Sequence, residues 1–124
     1  MKKISYYRAL IIVPPHGSWI IDQKKTWIIK SLFLRNIAQK PLLLVQGKQA
    51  LGIISLDPPK EINLEKFRHT KNKHYISETE RKKWWPNKRK LYVYRVASVH
   101  KFARPKKIDY PPGPQVLIKP ENIF

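Results

Sequence analysis

Gln23-Lys24-Lys25-Thr26-Trp27-Ile28-Ile29-Lys30-Ser31 is the stretch on which the reading of this chain turns. A period of two puts Thr26, Ile28 and Lys30 on one face of a strand and Lys25, Trp27 and Ile29 on the other. Upstream, Pro14-Pro15-His16-Gly17 breaks an apolar run. Between the two, Ser18-Trp19-Ile20-Ile21-Asp22 fits one or two helical turns. The order is strand, proline break, short helix, Lys-Thr strand.

Working outward, Arg8 to Val13 is apolar nearly throughout, the pattern of a strand buried on both faces, and the Lys-Thr strand is its expected neighbour. Trp19 reads most simply as a core anchor, with base stacking as the alternative. His16 reads as an ordinary turn residue. Residues 32–41 form a connection with enough apolar side chains to pack. Leu42–Gln46 and Gln49–Leu56 then flank Gly47-Lys48, a two-residue turn suited to a hairpin with a positive φ at the glycine. Gly52, inside the second of these strands, marks a bulge or a close backbone approach.

Asp57-Pro58-Pro59 ends that strand, because proline cannot donate to a ladder. Asn63 is a helix cap, and Leu64 and Phe67 form the small apolar face of a helix lying on the sheet. Ser77-Glu78-Thr79-Glu80 is a capping box, and its helix stops before Pro86. The segment Arg81 to Lys90 interleaves six cations with Trp84 and Trp85. Cations complement a helix C-terminus, and cations among aromatics also suit single-stranded nucleic acid. Leu91 to Val99 is a strand by β-branched and aromatic content. Lys101 to Lys107 is read as a turn because of Pro105, Pro111 to Pro114 as a rigid turn, and Gln115 to Lys119 as a closing strand.

Composition narrows the function. The chain has 124 residues, enough for one domain with one core of modest size, and residues 1–124 are read as a single unit. It has no cysteine, which removes disulfides, thiolate catalysis and the common structural zinc sites. His69 and His74, five apart, do not share a helical face, so no metal and no cofactor are expected. No apolar run approaches the roughly 18–20 residues of a membrane span. Met1-Lys2-Lys3 and the stretch after it, which contains Tyr6, Tyr7 and Arg8, read as the approach to a first strand and not as a signal peptide. A cytoplasmic location is expected. Lysine and arginine number 26 against 8 acidic residues, a formal charge of +18. Self-repulsion of that size points to an anionic partner, and nucleic acid, RNA or DNA, rewards dispersed cations through counterion release. An anionic membrane surface is the second candidate. The oligomeric state stays open.

The element order and the Lys-Thr strand resemble ASCH domains of the PUA-like superfamily, which carry a Gly-x-Lys-Thr-x-x-x-Arg-like signature at the helix-to-strand junction. Lys25 and Thr26 match it, Lys30 holds the basic position, and Gln23 replaces the glycine. The resemblance implies an α+β fold: a small mixed β-barrel of about six strands with two or three short inserted helices. It also implies nucleic-acid binding. Some ASCH-like proteins hydrolyse acylated nucleosides with a lysine, a hydroxyl residue and a glutamate. Here Lys25 is the candidate lysine, Ile28 stands where the hydroxyl belongs, and Glu65 is the acid nearest to hand. A nuclease would need carboxylates for magnesium, and the chain is poor in them.

A nucleic-acid-binding module directed at RNA or single strands is therefore the expectation, ahead of a small nucleoside-processing enzyme or a coating protein. No catalytic residue is assigned. The candidate binding residues are Lys24, Lys25, Thr26, Lys30, Arg35, Lys48, Arg81, Lys82, Lys83, Trp84, Trp85, Lys88 and Arg89. An open cleft beside Lys25 and Lys30 would support this reading, and one filled by Trp27 or Phe33 would undermine it.

Overall fold

The structure, a computed structural model, describes residues 5–112 and 117–124. Its centre is a curled mixed sheet forming a half-barrel, in the order β2-β6-β4-β3-β1-β7, with β5 also paired to β6. The strands are β1 (Arg8–Ile11), β2 (Trp27–Lys30), β3 (Leu42–Gln46), β4 (Gln49–Leu56), β5 (Lys60–Asn63), β6 (Lys90–Lys107) and β7 (Leu117–Ile118). Four short helices, α1 (His16–Ile21), α2 (Leu64–His69), α3 (Lys71–His74) and α4 (Glu78–Trp84), are inserted between them. The expected small α+β barrel is the fold observed.

Local chemistry placed several elements where the sequence indicated. β3 and β4 join through Gly47 and Lys48, both at φ 58°, the backbone of a twisted two-residue hairpin. The Asn63 side chain accepts from the Lys66 amide and caps α2. Ser77 and Glu80 make both bonds of the capping box on α4. Gly52 combines the two expectations for it: the register with β6 shifts beside it, and an added Cβ would run into the His100 carbonyl.

Three expectations are corrected. β1 does not neighbour the Lys-Thr strand; it lies between β3, parallel, and β7, antiparallel, while β2 pairs with β6. β6 does not turn at Lys101 but runs 18 residues to Lys107. Pro105 is tolerated because it falls between the Gly52–Lys101 and Ala50–Lys106 pairs, where the ladder is interrupted and no amide is needed. His16 is not a turn residue: it starts α1 and is buried. Residues 113–116, part of the expected turn and closing strand, lie outside the described residues, and β7 is the described part of that strand.

Two apolar clusters decide where a cleft opens. The barrel core gathers Leu10, Ile20, Ile28, Leu44, Ile54 and Tyr94. A second cluster under α2 to α4 gathers Ile29, Ile62, Phe67, Ile76, Leu91 and Val93. Each buried side chain of this kind contributes about 1.5–3 kcal/mol. β2 feeds both, Ile28 into the first and Ile29 into the second, so the period-2 reading of 27–30 holds. The seam between the two clusters is where the site lies.

Candidate functional site

A cavity of about 310 Å³ opens along this seam. Its walls are mostly aliphatic, from Ile11 at the end of β1 and Ile12 just after it, Ile28 and Ile29 on β2, and Leu32 and Leu34 after β2, with Trp84 and Trp85 closing one side. Neither Trp27 nor Phe33 lines it. Its polar side chains, apart from the indole N–H groups of the tryptophans, are His16, Lys25, Lys30 and Ser31.

The walls are held by specific bonds. The Tyr94 hydroxyl, wholly buried, donates to the Leu32 carbonyl at 2.6 Å and accepts from the Leu34 amide at 2.7 Å, fixing the segment after β2. α1 is keyed to β3 by Gln46, whose side-chain amide accepts from the Ser18 N–H at 3.0 Å and donates to its hydroxyl at 2.8 Å. Gly17 allows that approach, since a Cβ there would fall 2.8 Å from Gln46 Oε1.

A hydrogen-bonded chain of three titratable groups runs along one edge of the cleft. Glu80 divides its carboxylate: Oε1 accepts from the Ser77 amide and hydroxyl, and Oε2 faces His16 Nε2 at 2.7 Å. With the proton on Nε2 donated to Glu80, Nδ1 is the acceptor, and Lys25 Nζ donates to it at 2.9 Å. His16 and Lys25 are 2% and 4% exposed and line the cleft, while Glu80, 30% exposed along its side chain, meets solvent at the far end of the chain.

Burial sets the protonation of this chain. It lowers His16, helped by Lys25, against the bond to Glu80, so the ring is neutral at pH 7. It lowers Lys25 to about 7, with Glu80 opposing and Lys30 assisting. Burial alone lowers Lys30 to about 8. Burial would raise Glu80, but the bonds from Ser77 and His16 outweigh it and hold its carboxyl below the ordinary range.

The candidate residues separate into groups. Lys25, Lys30, Trp84 and Trp85 meet at the cleft. Lys82, Lys83, Lys88 and Arg89, exposed and without an ion pair among the described residues, continue the same segment outward from the tryptophans. Both tryptophans are half-buried, each packed on the second cluster while lining the cleft. Lys24 and Thr26 are exposed and off the cleft walls. Lys48 sits on the hairpin turn, 2.9 Å from Asp109. Arg81 turns inward, 6% exposed, and is held by Glu78 at 3.1 Å. Arg35 begins a 3-10 turn, and its side chain lies outside the described residues.

Two members of the chain are not evident from sequence: His16 reads there as a turn residue and Glu80 as a helix cap, while Glu65, the acid nearest to hand, is exposed on α2. The usable signal is a carboxylate about one turn from a tryptophan pair in an acid-poor chain, and it names no partner. Among the described residues no cluster of three or more histidines, cysteines or acids suits a metal ion. No helix there is long and apolar enough to cross a membrane.

No protein-family model matches the chain, and no curated protein matches it. Solved structures do. The ASCH protein from Zymomonas mobilis aligns with a TM-score of 0.75 at 14% identity, covering 90% of this chain and 85% of that one. A serine-to-alanine variant of it gives 0.75 at 14%, over 90% and 86%. A tyrosine-to-phenylalanine variant gives 0.76 at 13%, over 93% and 90%. The chain has the ASCH fold, as Lys25, Thr26 and the element order suggested. Identity at this level carries fold and leaves chemistry to the site itself.

Proposed function

We propose that this chain is a nucleic-acid-binding module for RNA or single strands, taking one unpaired base into the cleft while the surrounding cations hold the backbone. One observation carries the reading: an open apolar cleft walled by two tryptophans, whose segment continues directly into Lys88 and Arg89. Unstacked bases need an apolar slot with aromatic contact, and phosphates need exposed cations. A duplex keeps its bases stacked and offers nothing to the slot, so single strands are favoured.

The test is binding of single-stranded and duplex oligonucleotides across a salt series. Single strands should bind more tightly, with log affinity linear in log salt. Replacing Lys82, Lys83, Lys88 and Arg89 by Gln should weaken all sequences alike and shallow the slope by roughly 0.7 per lost contact on single strands. A flat salt response removes nucleic acid as the partner, and binding confined to anionic vesicles favours a membrane surface.

The Glu80–His16–Lys25 chain supports a second reading, a nucleoside-processing enzyme. An amine near neutrality, bonded to an imidazole that a carboxylate orients, is chemically competent as a base or nucleophile. Against it, Ile28 puts a hydrocarbon where the resemblance implies a hydroxyl. Incubation with acylated cytidines should give no turnover, and product formation that Lys25→Ala abolishes would replace binding with catalysis.

A further inference from the structure

Resting on the binding reading, we infer that the cleft selects a base by its carbonyl oxygens, with Lys30 as the selecting residue, and so accepts uracil over cytosine. Of the two cleft lysines, Lys25 is held by His16, and Lys30 is the one that no protein group holds among the described residues. It is half-buried at the end of β2, and among the described residues its ammonium makes no hydrogen bond or ion pair. Yet no sealed side-chain nitrogen or oxygen among those residues lacks a partner. The tip of Lys30 therefore opens to the cleft while its stem is desolvated.

The rest of the lining is as one-sided. No wall residue is a carboxylate or a side-chain amide. His16 has both ring nitrogens engaged. Lys25 spends one bond on His16 and keeps its other N–H groups, and it lies close enough to Lys30 for the two charges to interact. The Lys30 ammonium and the indole N–H groups donate only, while Ser31 and the neutral fraction of Lys25 have a choice. A ligand group that faces Lys30 must bring an acceptor. The aliphatic walls make a phosphate an expensive occupant, because its charge would lose water with little to replace it. A flat neutral ring carrying carbonyl oxygens meets both conditions.

Uracil and cytosine are nearly equal in shape and differ at the 4-position, a carbonyl in one and an amino group in the other. Against an ammonium the amino group opposes donor to donor, leaving both unpaired in an apolar slot. Discrimination built on such a mismatch is larger than any that shape could supply for this pair. Strands of equal length carry equal phosphates, so the backbone term cancels in their ratio.

The experiment is fluorescence anisotropy of labelled oligouridylate and oligocytidylate of one length, at one salt concentration and pH 7, with the full chain. Oligouridylate should bind about tenfold more tightly. Lys30→Gln, whose amide both donates and accepts, should bring the ratio close to one, whatever it does to the absolute affinities. Lys30→Met should do the same, so that a folding fault in one variant, read by circular dichroism, leaves the other to decide. In the parent the ratio should fall as the pH is raised through about 8, where Lys30 loses its proton. Equal binding of the two strands, tighter binding of oligocytidylate, or a ratio unchanged in both variants overturns the inference while leaving nucleic-acid binding intact. Failure of the parent to bind either strand overturns both.

Discussion

His16 and His74 are both buried, both have their pKa lowered first of all by burial, and both use the two ring nitrogens. Their partners differ. His74 Nε2 donates to the Phe67 carbonyl at 2.6 Å, Nδ1 accepts from the Ile76 amide at 2.9 Å, and the ring stacks on Phe67 at 4.2 Å. Its partners are backbone groups that never titrate. His16 lies between Glu80 and Lys25, with Trp19 and Trp84 meeting its ring edge-on at 5.0 and 5.6 Å. Its partners change charge, and the cleft lies beside them. The α2–α3 junction uses a histidine to close the fold, and the α1–α4 junction uses one to link ionisable groups. Burial and a shifted pKa are common to both and mark neither as functional; the chemistry of the partners does.

The contrast breaks most visibly at His74. His74→Ala should cost about 3 kcal/mol of stability through the lost stacking contact and two orphaned backbone groups, with little effect on ligand affinity below the melting transition. Denaturant unfolding checks the first part and anisotropy the second. A loss of affinity in a folded variant would place His74 in the site as well.

Trp85→Ala should reverse the balance, reducing single-strand affinity by about 1–3 kcal/mol because a stacking wall is gone. It also packs on the second cluster, so the melting temperature should fall at the same time. Unchanged affinity would confine Trp85 to packing.

Lys25→Met should stabilise the fold by about 1–2 kcal/mol, since the cleft keeps this amine at a cost to stability. The sign with pH follows. Lys25 titrates near 7 when folded and at 10.5 when free, so between those values the unfolded chain binds more protons and stability rises with pH. The variant should lose the part of that rise due to Lys25 and keep the part that Lys30, at about 8, supplies, so its gain in stability from pH 7 to pH 9 should be smaller than the parent's in unfolding curves. A destabilised variant would give Lys25 a structural part like that of His74.

The smallest effect on stability is expected for Glu80→Gln, under about 1 kcal/mol, because glutamine also completes a capping box. The carboxylate charge that favours the Lys25 ammonium disappears, so Lys25 should titrate still lower, readable in its side-chain NMR signals against pH. An unmoved titration would uncouple Glu80 from the chain and make the two junctions alike.

The fold was legible where neighbours in sequence decide the geometry. Gly47-Lys48, the Asn63 cap, the Ser77–Glu80 box and the alternation from Trp27 to Lys30 each work over a few residues, so each was readable. The partner of β1 was not: the choice among strands depends on how the whole sheet closes. Nor was the path of β6 through Pro105, because only the bulge against β4 removes the need for the missing amide.

The site divides on the same line. Sequence by itself determined an excess of cations, a strand from Trp27 to Lys30, and the tryptophan pair inside a basic run, because composition and short-range order express these directly, whereas Lys25 and Thr26, read as part of that strand, precede it. Only tertiary structure joined Glu80 to His16 across 64 positions, carried Lys25 out of water, and separated inward Arg81 from its outward neighbours Lys82 and Lys83. Desolvation and long-range hydrogen bonds belong to the packed state, and a residue's type does not reveal which water it will lose or which distant partner will replace that water.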